Sequence, residues 1–126
     1  MSSTHANEED PVVLDPKSIE SLRKLSAGNP DFILNLFGAY LQQCEAGIPD
    51  LERMLASGEA VAIGNLAHKL KGGAAQLGAV AMSEVCKQIE QIGRAESIEG
   101  VEGLVNEVRI QYEQLKLAVE ALREND

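Results

Sequence analysis

Apolar residues recur along this chain at intervals of three and four, the period of an amphipathic helix, and nowhere as the strict alternation of a half-buried strand. Residues 1–14 are polar and acidic until a short apolar stretch, Val12 to Leu14, and read as a flexible tail. Asp15-Pro16 then reads as an N-cap followed by proline at the first helical position. Ile19, Leu22 and Leu25 follow at helical spacing, and Gly28 closes this short helix. Asn29-Pro30-Asp31 repeats the start signal and opens a long second helix. Its stripe is Ile33, Phe37, Leu41, Cys44, Ile48, Leu51 and Leu55, widened by Phe32, Leu36 and Tyr40. Pro49 removes a backbone donor there at a cost of about 3 kcal/mol unless the helix kinks, so a bend after Gly47 is predicted. Ser57-Gly58 stops it.

The third helix is predicted from about Glu59 to Leu77, on Ile63, Ala67, Leu70, Ala74 and Leu77. The fourth runs from Val80 to Gly93 on Met82, Val85, Cys86, Ile89 and Ile92. The fifth begins after Gly100, ends near Arg123, and uses Val101, Leu104, Val105, Val108, Tyr112, Leu115, Val119 and Leu122. Short connections between four substantial amphipathic helices predict an all-α domain over 15–126, an antiparallel four-helix bundle with the short N-terminal helix lying across it.

Composition narrows this further. At 126 residues the chain fits one domain, and 44% hydrophobic residues suffice for a core without disulfides or a structural metal. Aromatics are only 3%, so that core is aliphatic, which favours helices over a β-sandwich. A formal net charge of −9 argues against a nucleic-acid groove and against an anionic membrane surface. No apolar run reaches the roughly 20 residues of a spanning helix, and MSSTHANEED is no signal peptide, so the expected location is cytoplasmic. Cys44 and Cys86 fall on apolar stripes and read as buried reduced thiols. With His5 and His68 as the only imidazoles, no metal-ligand spacing is present.

The third helix carries the candidate chemistry. With Ile63 set at 0° and about 100° per residue, the core stripe clusters within about 40° of it. His68 falls near 140°, outside the core, among Gly64 near 100°, Ala75 near 120°, Gly72 near 180° and Asn65 near 200°. The imidazole thus stands on an almost bare strip, with a glycine one turn before it and one turn after it. Interior helix glycines cost up to about 1 kcal/mol each, and the core stripe continues in phase through Gly72-Gly73, so the helix is predicted to run on unbroken. Glycines beside an exposed histidine let a partner's backbone approach the ring.

Hydrolysis by a nucleophilic Ser or Cys needs an oriented dyad that cannot be read here, whereas neutral imidazole can itself attack phosphorus to give a phosphoramidate. Such a role needs outside access, a nearby cation, and a group holding the second nitrogen protonated. Lys71, at i+3, can reach the anionic oxygens of a phosphoryl group on His68. Glu90 and Arg94 lie one turn apart on the shoulder of the fourth helix, where either can face the third, although their spacing by itself favours a solvated i,i+4 pair. A carboxylate accepting from Nδ1–H would leave Nε2 as the nucleophile.

The run Ala67-His68-Lys69-Leu70-Lys71-Gly72-Gly73-Ala74, then Leu77-Gly78-Ala79, Met82, Cys86, Ile89-Glu90 and Gly93-Arg94, resembles the histidine-containing phosphotransfer (HPt) domain. The resemblance implies that His68 is phosphorylated by an aspartyl phosphate on a receiver domain and passes the group to a second receiver. It also implies that Lys71 helps hold the phosphoryl group, that Gly72 lets the receiver dock, and that Glu90 orients the imidazole. The implied partners are response-regulator receiver domains and a sensor histidine kinase, hybrid kinases included. The implied domain is a carrier without its own ATP site or cofactor, with Mg²⁺ supplied by the receiver's carboxylates. The docking surface is expected at Gly64, Asn65, Gly72, Ala75 and Arg94, with Ile19 and Leu22 as exposed apolar residues of the first helix, and the expected state is a monomer.

Two other readings compete. A sensor-kinase dimerisation and phosphoacceptor domain typically has an acidic residue just after its histidine and a proline a turn later. Here Lys69 follows His68, and no proline lies beyond Pro49. The other alternative is a non-catalytic helical adaptor that binds receiver or kinase domains without phosphotransfer.

Overall fold

A computed structural model describes residues 12–27 and 29–125. The tail before Val12, His5 within it, and the Gly28 helix stop lie outside the described residues. Among these residues five helices follow in order: α1 (Pro16–Leu25), α2 (Pro30–Ala56), α3 (Ala60–Leu77), α4 (Val80–Arg94) and α5 (Val101–Asn125). Among the described residues there is no strand, and no helix is long and apolar enough to cross a membrane.

Local chemistry sets the boundaries. The Asp15 carboxylate accepts from Lys17 N–H at 3.1 Å, and Asn29 Oδ1 accepts from Asp31 N–H at 3.1 Å, so both proline-led helices start on side-chain caps. α3 passes through Gly72 and Gly73 without a break, since Ala74 and Leu77 are buried in phase with Ile63. It ends at Gly78, where φ is 77°. A Cβ at Gly78 would also stand 2.4 Å from that of Ser18, so only glycine fits this corner. Pro49 sits inside α2 without ending it.

The four long helices close a ring in which α2 packs on α3, α3 on α4, α4 on α5 and α5 on α2. Their inner faces bury Phe37, Leu51, Ile63, Leu70, Met82, Ile89, Val108 and Leu115. Tyr40 belongs to this core, whereas Phe32, in the first turn of α2, is exposed. Cys44 and Cys86 are free and buried, and burial pushes their thiols up to about 11 and about 12, so both stay protonated at neutral pH and pack as small hydrophobes.

α1 lies across α2 and α3. Ile19 is buried and Leu22 is half-buried against the core, which corrects their expected role as exposed docking residues. Ten residues suffice to bury one stripe when two helices lie beneath it, and the apolar side chain left in solvent is Leu25. Ahead of α1 the chain is tied to the α3–α4 corner. Asp15 N–H donates to the Gly78 carbonyl at 2.9 Å, Ala81 N–H donates to the Val12 carbonyl at 2.8 Å, and Val13 and Leu14 pack on the core.

Candidate functional site

The site grows from a backbone contact between α3 and α4. A methyl on Gly93 would stand 2.6 Å from the Ala60 carbonyl oxygen, 2.7 Å from Gly64 N and 2.8 Å from Gly64 Cα. One on Gly64 would meet Arg94 N and Gly93 C at 3.4 Å and the Glu90 carbonyl oxygen at 3.5 Å. Gly64 is therefore buried in a helix crossing, not part of the bare docking strip where the wheel placed it. The neighbouring helix covers the flank near 100°, which a wheel of one helix does not show. His68 stands one turn beyond Gly64, and Glu90 three residues before Gly93, so the crossing brings their side chains together.

Glu90 is 6% exposed and is bound by three groups. Lys71 Nζ approaches Oε1 at 2.6 Å, while Oε2 accepts from Arg94 Nε at 2.8 Å and from His68 Nδ1 at 2.9 Å. Bonding to Lys71, opposed by burial, then bonding to His68 and the Lys71 and Arg94 charges hold the carboxyl down at about 2. An ionised carboxylate has no proton to give, so the hydrogen of this bond belongs to Nδ1. Nε2 is left with the lone pair on an imidazole whose side chain is 58% exposed.

That depressed carboxyl has a consequence for acid stability. Its folded value of about 2 lies below the ordinary 4.5, so ionised Glu90 stabilises the fold fully above pH 4.5, and this contribution fades as the pH falls toward 2. The stability advantage of the wild type over Glu90→Gln should shrink across that window in acid titrations followed by circular dichroism. A constant difference would show that the Glu90 charge plays no part.

Around His68, Asn65, Lys69, Gly72 and Ala75 are exposed, and so is Val61 at 58%. Val61 shares the His68 face seven residues earlier, two turns along α3, a spacing the sequence displays. α3 carries Lys69 and Lys71 and no acidic residue, in a chain with a net charge of −9. The two glycines after Lys71 differ in kind. A Cβ at Gly73 would press within 2.7 Å of the Tyr40 ring, whose hydroxyl donates to the Leu70 carbonyl at 2.8 Å. A Cβ at Gly72 would meet nothing within 4 Å. Gly72→Ala should therefore raise the melting temperature, because up to about 1 kcal/mol of helix propensity is gained. A lower melting temperature would mean that Gly72 is required by the fold itself.

A cleft of about 610 Å³, lined by Leu55, Ile98, Val105 and Arg109, lies at the junction of α2 and α5 and touches none of the residues around His68. An imidazole on an open strip suits a group presented from outside better than a small molecule enclosed in a pocket. Fold and site together define a helical bundle that holds an oriented histidine on its open surface.

Comparison with known proteins agrees. The Hpt domain family matches residues 35–125, and the chain belongs to that family. Multistep phosphorelay regulator 1 of Schizosaccharomyces pombe is 29% identical over 100 residues, 79% of this chain and 34% of that protein. Histidine-containing phosphotransfer protein 2 of Arabidopsis thaliana is 26% identical over 106 residues, 82% of this chain and 68% of that protein. The chain thus spans about a third of the yeast regulator. In structure it matches the histidine-containing phosphotransfer protein B (HptB) of Pseudomonas aeruginosa PAO1 with a TM-score of 0.82, over 90% of this chain and 96% of that one. At 22% identity this is a likeness of fold. The family match begins inside α2, so α1 and the segment tied to Gly78 lie ahead of it.

Proposed function

We propose that this protein is a phosphorelay carrier that takes a phosphoryl group onto Nε2 of His68 from an aspartyl phosphate of a receiver domain and delivers it to another receiver. The observation that carries this reading is the bond from His68 Nδ1–H to buried Glu90, which leaves Nε2 as the exposed nucleophile. The lone pair of Nε2 forms the P–N bond as the P–O bond to the aspartyl carboxyl breaks, and the electron pair leaves with that carboxylate. No proton has to move. Positive charge grows on the ring as the bond forms, and Nδ1–H already points at a carboxylate that can stabilise it. Lys71, one turn from His68, supplies a cation for the phosphoryl oxygens.

The rest belongs to the partner. Glu90 is already engaged by Lys71, Arg94 and His68, so it is not free to hold Mg²⁺. The metal would come on the receiver's carboxylates and offset the phosphoryl charge there. The carrier needs no ATP site of its own under this reading and works as a cytoplasmic monomer between a sensor kinase and its receivers. Its docking face is the strip of Val61, Asn65, Gly72 and Ala75 around His68.

Transfer from a ³²P-labelled receiver with Mg²⁺ tests the proposal. An acid-labile, base-stable label that chases onto a second receiver supports it. No label across several receivers would favour the adaptor that binds without chemistry. Gly72→Leu, which puts a branched side chain on the open strip, should slow transfer by about tenfold, roughly the effect of 1.4 kcal/mol, while the helical content stays that of the wild type. An unchanged rate would remove Gly72 from the docking face.

A further inference from the structure

Resting on that reading, we infer that Arg94 is a positioning residue, which keeps buried Glu90 neutralised and aimed at His68 so that Lys71 is released to the phosphoryl group. The two oxygens of Glu90 are unequally shared. Oε1 is held by Lys71, while Oε2 is held by Arg94 and His68 together. Lys71 is a point charge on a flexible stem, 30% exposed and one turn from His68. A phosphoryl group arriving on Nε2 draws that ammonium away from Oε1. A carboxylate that is 6% exposed would then face only the ring N–H, and leaving a buried charge without its partner is strongly unfavourable.

Arg94 removes that difficulty. It lies four residues after Glu90 on the same helix, and its Nε–H is already on Oε2. Among the described residues, the recorded partners of Glu90 are Lys71, Arg94 and His68. Other cations are paired with other carboxylates: Lys24 of α1 with Glu20, Arg53 of α2 with Asp50, and Arg109 of α5 with Glu52. Lys69 of α3 and Lys87 of α4 are exposed and make no bond to Glu90. Because Arg94 and His68 share one oxygen, holding Arg94 in place also holds that oxygen against Nδ1.

The test removes Arg94 with and without the charge it answers. Rate constants for label transfer are measured for Arg94→Gln in the Glu90 protein and again in a Glu90→Gln background, with circular dichroism confirming the helical content of each. Arg94→Gln should slow transfer about tenfold where Glu90 is present and less than about twofold where it is Gln, since no buried charge then needs an answer. Arg94→Lys, which keeps a cation at the same position, should recover the rate to within about threefold of the wild type. Equal losses in both backgrounds would mean that Arg94 touches the receiver instead, and no loss beside Glu90 would mean that Lys71 leaves unaided; either overturns the inference. A wild type that takes no label would instead defeat the carrier reading itself.

Discussion

His68→Gln is expected to lose phosphoryl acceptance to the background of the assay, at least about a thousandfold, while keeping the helical content of the wild type. The amide of glutamine has no available nitrogen lone pair, so no P–N bond can form. The fold hardly registers the change, because the side chain is 58% exposed and its recorded bond is the one to Glu90. Glu90 keeps Lys71 and Arg94, and the new amide can donate an N–H in place of Nδ1–H, so the stability loss should stay near about 1 kcal/mol. Labelling from a receiver domain, read beside a thermal melt, checks both halves. Acid-labile label on the variant would place the acceptor elsewhere and overturn the site described here.

Gly93→Ala should be a damaging change despite its small size. Its new methyl falls within 2.8 Å of three backbone atoms of α3, and backbone cannot rotate aside as a side chain can. The helices must part, at about 2–3 kcal/mol or a fall of roughly 10 °C in Tm. Parting them also draws Glu90 away from His68, so the variant should transfer more slowly even at temperatures where it is folded. Gly64→Ala, with contacts of 3.4–3.5 Å, should cost less, and Gly72→Ala should stabilise. Three melts by circular dichroism give the order. A Gly93→Ala protein as stable as the wild type would show that the crossing is loose.

Most of the bundle was legible because its helices are punctuated. Asp15-Pro16, Asn29-Pro30 and Ser57-Gly58 mark starts and stops that the structure reproduces to within a residue or two. The Ile63 stripe located His68 on the outside of α3, since angle around one helix depends only on that helix. What one helix cannot report is its neighbour. Gly64 and Gly72 both flank His68, yet one is sealed against Gly93 and the other is open, a difference created wholly by α4. Glu90 posed the same ambiguity: a shoulder position fits a solvated pair with Arg94 as well as a buried acceptor, and the close crossing of α3 and α4 decides for the latter. Ile19 was misplaced because a short helix was assumed to leave its apolar side uncovered, while two helices lie under it.

The tie between Val12 and Ala81, with that between Asp15 and Gly78, fixes where the chain enters the bundle. It enters at the last turn of the histidine helix, ten residues or about 15 Å along the axis from His68. Any cargo, dye or affinity handle joined through the N-terminal segment is thereby leashed close to the reacting nitrogen, at a high local concentration that depends on the length of the leash. One joined after α5 has a different starting point and a different reach. The choice of terminus for a fusion is then a choice about crowding at His68.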